Sequence, residues 1–265
     1  MRETFNYRPG SKPLLVSLPH GGTYIPAPIA NRMTPAALET PDTDWHVGLL
    51  YDFASSLGAS VINATHSRYV IDLNRDPAEA PLYSGADNTE LVPLTTFDYS
   101  PIYINGCQPS ETELTGRTAQ YWRPYHEKLE RELSAIKAQH GHAILFDGHS
   151  IRSNVRRFYD GQIPDLNLGS ANGASAAPEL ASIATSVLQK SKYRVVLDDR
   201  FTGGHITRAN GAPENGIHAI QLELTWRNYM EEHSPFRYLP ERADKLKPVL
   251  NALLQALIEW RPSVP

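Results

Sequence analysis

Four short apolar runs along the chain each end in residues able to hold a metal, a proton or an anion. Residues 14–18 lead through Pro19 into His20-Gly21-Gly22, and 69–73 lead into Asn74-Arg75. Residues 143–146 lead into Asp147-Gly148-His149-Ser150, and 220–224 carry Glu223 between two leucines. Near-continuous apolar runs of this length predict strands buried on both faces of a sheet. In open α/β sheets, ligands gather outside the carboxyl ends of such strands.

Between these runs the pattern changes to helical spacing. Leu49, Leu50, Phe53, Ala54 and Leu57 predict a helix over 44–57, ended by Gly58, with a further strand over 60–64. Leu129, Leu133 and Ile136 form one apolar stripe in a predicted helix over 118–140, with a kink near Pro124. A helix over 179–190, a strand over 193–197 and a closing helix over 240–260 complete the series. The segments 76–114 and 160–174 are polar, lack periodicity and read as loops; connections that long in a compact domain are usually functional. Strands alternating with helices predict a three-layer α/β/α domain around a mostly parallel mixed sheet, spanning 1–265 as one unit.

Charge and cysteine content narrow the function classes. A net charge of −4 argues against nucleic acid or an anionic membrane as the main partner, so any positive potential must come from a few local arginines. Cys107 is the lone cysteine and sits without a histidine–acid pattern around it. That excludes an internal disulfide, argues against a thiol nucleophile and fits a reducing, cytoplasmic setting. No signal-peptide pattern opens the chain, and no apolar run approaches the ~20 residues of a membrane span. Neither a G-x-S-x-G elbow nor a glycine-rich phosphate loop is present.

The candidate chemistry is that of a metal-dependent hydrolase acting on an anion. His149 and His20 both follow buried strands, and Asp147, on the same strand side as His149, is placed to orient an imidazole. Catalytic zinc takes three protein ligands and leaves a position for water; Asp42 or Asp44 is the source of the third, Asp42 being also suited to cap a helix. Glu223 lies on the strand face opposite its leucines, where desolvation would raise its pKa toward that of a general base. Arg68, Arg75 and Arg208 are anion candidates, since guanidinium matches a carboxylate in two-point geometry. His126, His205 and Tyr159 read as structural.

These blocks resemble the bacterial N-formylglutamate amidohydrolases. The resemblance runs through Pro19-His20-Gly21-Gly22, Asp42-Thr43-Asp44-Trp45-His46 and Ser67-Arg68-Tyr69-Val70-Ile71-Asp72-Leu73-Asn74-Arg75. It continues through Trp122–His126, Asp147–Ser153, Gly204–Arg208, Gly216–Leu224 and the segment up to Tyr238. That family is similar in turn to zinc carboxypeptidases and aspartoacylase. The resemblance implies a zinc-carboxypeptidase-like fold, Zn2+ held by His20 and His149, and Glu223 as general base. It further implies Arg68 near the scissile carbonyl, Asn74 and Arg75 on one substrate carboxylate and Arg208 on the other. The relatives' His-x-x-Glu is interrupted here by Thr23, which leaves Asp44 as the expected third ligand. The implied activity is hydrolysis of N-formyl-L-glutamate, a small dicarboxylate, to formate and glutamate in histidine degradation. The alternatives are deacylation of another N-acyl amino acid, carboxypeptidase-like cleavage, or a binding protein that retains a dead hydrolase fold.

Overall fold

The parity of side chains along Ala143–Ile151 explains the layers. In the computed structural model, which describes residues 2–81 and 87–262, this segment is strand β4 and every residue in it is buried. Ile144 and Phe146 face one apolar layer; Ala143 and Leu145 face another. The same alternation holds in β2 (Leu14–Leu18) and β7 (Ile217–Thr225). Leu14, Val16, Leu18, Ile220, Leu222 and Leu224 join the first layer, whereas Leu15 and Ala219 join the second. A strand buried on both sides must be apolar at both parities, as these are.

Among the described residues seven strands form one sheet in the order β1-β3-β2-β4-β7-β5-β6. The others are β1 (Phe5–Arg8), β3 (Ser60–Ala64), β5 (Leu166–Gly169) and β6 (Val195–Leu197). β3, β2, β4 and β7 run parallel; β1 and the β5–β6 pair run against them. Short helices α1 (Ala27–Ala30), α2 (Pro35–Leu38) and α3 (Val47–Leu50) follow β2. Next come α4 (Glu111–Arg117), α5 (Arg123–His140), α6 (Pro178–Gln189), α7 (His205–Asn210) and α8 (Pro240–Glu259). Leu180, Ala184 and Leu188 of α6 and Leu246, Leu250, Leu253 and Leu257 of α8 cover the first layer. Tyr125, Leu129, Leu133 and Ile136 of α5 cover the second. The three-layer mixed α/β architecture is therefore the one the pattern predicts.

Four local expectations are corrected. Residues 69–73 are buried but form a turn, with the Val70 N–H on Ser67 O and the Asp72 N–H on Leu91 O. An apolar run reports burial and cannot by itself distinguish a strand from a buried turn. The helix expected over 44–57 is one α-turn, Val47–Leu50, followed by the 3₁₀ turn Ala54–Leu57, and Leu49 is half exposed. The long helix starts earlier, at Glu111 behind the Ser110 cap, so the loop from 76 ends sooner; its residues 82–86 lie outside those described. The break falls as a wide turn at Thr118–Trp122, just before Pro124, which has no N–H to continue the ladder. Finally, the 160–174 segment contains β5, paired antiparallel with β7.

Leu250, fully buried between α8 and the sheet, tests this layer. Leu250→Ala is expected to cost about 2–5 kcal/mol in urea denaturation, through lost transfer energy and the cavity left behind. A loss below ~1 kcal/mol would show that the layer collapses around the gap.

Candidate active site

β2, β4 and β7 point the same way, so their carboxyl ends share one edge of the sheet. Their register sets Ser17 beside Asp147 and Asp147 beside Gln221, with His149 beside Glu223 two residues on. Side chains alternate across a strand, so these residues share a face with Leu15, Leu145 and Ala219. That face is apolar where α5 covers it and polar at the carboxyl edge. His20 follows β2, and Asp44 arrives from the turn before α3, its N–H donating to His20 O at 3.0 Å. Gly22 lets the chain after His20 pass close to the segment following β3: a Cβ there would lie 2.4 Å from His66 O.

His20, Asp44 and His149 are all buried, and one ligand atom from each lies within 4.8 Å of the others. His20 Nε2 sits 2.7 Å from Asp72 Oδ1, and His149 Nε2 sits 3.0 Å from Asp147 Oδ2. Each carboxylate accepts the ring's Nε2–H, which fixes the tautomer and turns the Nδ1 lone pairs inward. Those two nitrogens face Asp44 Oδ2, at 3.8 Å from His20 and 3.1 Å from His149. Once His149 Nδ1 gives up its proton, three buried acceptors converge, a set that fits a divalent cation.

The surrounding charges act in opposite directions on the two imidazoles. Burial lowers the pKa of His20, with Arg68 adding to the effect and Asp72 opposing it. For His149, burial also works downward, but Asp147 and Asp44 outweigh it and hold the pKa well above the ordinary value. Asp72 is fully buried, yet Arg68, His20 and Arg75 keep its carboxyl well below the usual range. Arg68 Nη2 donates to Asp72 Oδ2 at 2.6 Å, and its guanidinium lies 4.8 Å from the Phe97 ring centre. Asp147 accepts a further hydrogen bond from Ser17 Oγ at 3.0 Å.

The remaining expected residues divide. Glu223 borders the same cleft as the His–Asp–His group, with Arg68, Asn74 and Arg75. Burial pushes its pKa up; Asp44 adds to this while His149 and Arg68 oppose it. Asn74 Oδ1 accepts the Ile206 N–H at 2.8 Å, and its Nδ2 lies 3.0 Å from His149 Nε2. Gly204 makes room for that amide, since a Cβ would sit 2.2 Å from Asn74 Nδ2. Arg75 donates to Asn74 O, Thr89 O and Thr89 Oγ1. Arg208 is not brought to the cleft: it donates to Gly203 O and Thr202 Oγ1 and borders a neighbouring depression with Arg75 and His205. Asp42 faces away from the cluster, accepting from Tyr69 Oη at 2.5 Å and the Phe97 N–H at 2.8 Å. His126 stacks on Trp122 and donates to Leu73 O, its pKa pushed down to about 4 by burial.

Sequence reasoning missed four participants. Asp72 reads in the sequence as a neighbour of Arg75, but it orients His20. Arg200 and Phe97 line the cleft from loops that carry no periodic signal. Ser17 was open to inference, because its parity places it on the face of Asp147.

A mixed α/β sheet carries at its parallel edge a buried His–Asp–His group that could hold a metal, with a carboxylate beside it, the make-up of a hydrolase site. The family profile of N-formylglutamate amidohydrolase matches residues 12–230, and the chain belongs to that family. It is 46% identical to the N-formylglutamate deformylase of Pseudomonas putida over 98% of its own length and 97% of the relative's. Identity to the Pseudomonas aeruginosa N-formylglutamate deformylase is 45%, over 98% of both chains. The fold is also that of a crystallised N-formylglutamate amidohydrolase from Ralstonia eutropha, with a TM-score of 0.81, 24% identity and coverage of 96% of this chain and 97% of that one.

A cation at these three atoms requires a neutral His149. The raised pKa of that imidazole means that divalent-cation affinity should fall as pH falls, with about one proton released per ion bound near neutral pH. Calorimetry in buffers of different ionisation enthalpy measures that number. No proton release would mean that His149 is already neutral before the ion arrives.

Proposed function

We propose that the protein hydrolyses N-formyl-L-glutamate to formate and L-glutamate, with Zn2+ held by His20, Asp44 and His149. The observation that carries the reading is Glu223, paired in register with His149 at the rim of the same cleft. The near-full-length relatedness to two proteins named N-formylglutamate deformylase supports the substrate. When bound, zinc would act as a Lewis acid and lower the pKa of water toward ~7.

The chain's own residues supply the rest. Glu223 accepts a proton from the attacking water as its oxygen bonds to the formyl carbon, then returns that proton to the leaving nitrogen as the C–N bond breaks. The burial that raises its pKa suits both steps, because the carboxylate is basic enough to take the proton and acidic enough to give it back. Arg68, locked by Asp72 and backed by Phe97, would polarise the formyl oxygen. Arg75 and Arg200 border the cleft and would hold the two carboxylates of the substrate, with Asn74 beside them. Arg208 stands behind, supporting the Thr202–Gly203 wall.

Glu223→Gln should keep zinc and fold while losing roughly 10²–10⁴-fold in kcat, because an amide cannot accept the proton. Near-normal turnover with a shifted melting temperature would reduce Glu223 to a structural carboxylate.

Substrate charge provides a second test. N-formyl-glutamine should react roughly 30- to 100-fold more slowly than N-formyl-glutamate, the effect of leaving a cleft arginine without its carboxylate. Arg200→Gln should shrink that preference more than Arg208→Gln does. The reverse ranking in kcat/KM would return the second carboxylate to Arg208.

A further inference from the structure

Asp44 is the one member of the metal group that belongs to neither a strand nor a strand end. It lies in the turn before α3, and the next residues are held by a segment far away in sequence. Tyr229 Oη lies 2.7 Å from Trp45 O and 2.8 Å from Ser150 Oγ. A carbonyl only accepts, so the tyrosine's single proton goes to Trp45 O, and the Ser150 hydroxyl donates to the tyrosine oxygen. Ser150 Oγ in turn accepts the Trp226 Nε1–H at 3.2 Å. The result is a directed relay, Trp226 to Ser150 to Tyr229 to Trp45, that ends one peptide unit from Asp44.

Two further contacts brace the same turn. The Trp45 ring stacks on Phe236, with centroids 5.4 Å apart and planes inclined by 19°. His46 adopts a left-handed φ of 62°, a conformation that costs a non-glycine residue free energy and persists only under external restraint. That restraint is the hydrogen bond between its Nε2 and Phe236 O, 2.7 Å long. Tyr229 is itself fully buried. The Tyr229 hydroxyl meets the group at two places, the backbone at Trp45 beside Asp44 and the Ser150 hydroxyl beside His149, and only the first acts on Asp44's own turn.

We infer that Tyr229 is a positioning residue for the metal centre: its hydroxyl fixes the backbone from which Asp44 reaches the ion. The inference rests on the metal reading of His20, Asp44 and His149. Groups that orient a metal ligand typically change affinity 10- to 100-fold when removed.

The test compares zinc affinity, read by competition with a chromogenic chelator, in the wild-type protein, Tyr229→Phe, Asp44→Asn and the double variant. Tyr103→Phe is the control: it also removes a buried hydroxyl, one that accepts from Arg117 Nη1 at 2.8 Å. Tyr229→Phe should weaken zinc 10- to 100-fold, while Tyr103→Phe changes it less than twofold. In the Asp44→Asn background the tyrosine change should add less than twofold, since both alterations act through one ligand. At saturating zinc, KM for N-formyl-glutamate should stay within twofold of wild type. A lowered melting temperature in Tyr229→Phe with unchanged zinc affinity would overturn the inference, as would an undiminished effect in the Asp44→Asn background. Wild-type zinc affinity in Asp44→Asn would remove the ligand and the inference together. Zinc-loaded wild type that leaves N-formyl-glutamate intact would remove only the substrate reading.

Discussion

Three acceptor atoms brought together in a dry interior, His20 Nδ1, His149 Nδ1 and Asp44 Oδ2, set the terms for the rest of the site. Without an ion, a proton on His149 Nδ1 bridges to Asp44 Oδ2; a divalent cation would take that proton's place between the acceptors. Each imidazole commits its Nε2 proton elsewhere, His20 to Asp72 and His149 to Asp147, so only the second proton of His149 stands between the cluster and a cation. Those two carboxylates then need partners of their own. Asp72 has the Arg68 guanidinium, and Asp147 has the Ser17 hydroxyl, which is held in turn by Tyr125. The buried polar network therefore extends outward until it meets either a fixed charge or the apolar layer under α5.

Sheet register gives the site its precision. Asp147 and His149 are two residues apart on β4, and Gln221 and Glu223 stand opposite them on β7, so the spacing of Glu223 and His149 is set by the backbone ladder. Gln221 extends that order to the cleft wall, since its Oε1 accepts the Gly204 N–H and places the start of α7, where Ile206 N–H holds Asn74. Groups on strands can be held to the tolerance that proton transfer needs more readily than groups on loops. The contributions from loops, Asp44, Arg68, Arg200 and Phe97, are tied down one by one, through hydrogen bonds to backbone or through ring contacts.

This division of labour has a consequence for the reaction. The His–Asp–His group and Glu223 depend on the sheet edge, while the outer cleft is lined by Arg75, Asn88 and Arg200 from the surrounding segments. A small satellite cluster of Phe97, Ile151, Val155, Ile163 and Phe201 packs those outer segments separately from the two main layers. Loop-borne recognition over a rigid catalytic edge lets one fold vary its substrate without disturbing its chemistry.

The amino-acid sequence alone determined the features that obey a local rule. Apolar runs located β2, β3, β4 and β7, helical spacing located α5, α6 and α8, and period-two alternation put Asp147 with His149 and Gln221 with Glu223. Family blocks and strand ends together singled out His20 and His149, which the structure brings to within one ligand sphere of Asp44. The tertiary structure decided the rest. It chose Asp44 over Asp42 for the cluster by turning Asp42 toward Tyr69 and Phe97, made a buried turn of 69–73, and assigned Asp72 to His20. It also set Arg200 in the cleft and Arg208 behind it, and it braced the Asp44 turn from Tyr229 and Phe236. Periodicity reports which side of a strand or helix is buried, because that depends on neighbours a few residues away. Where a loop side chain ends up depends on partners as far as 190 residues away in the chain, as between His46 and Phe236, and no local pattern records them.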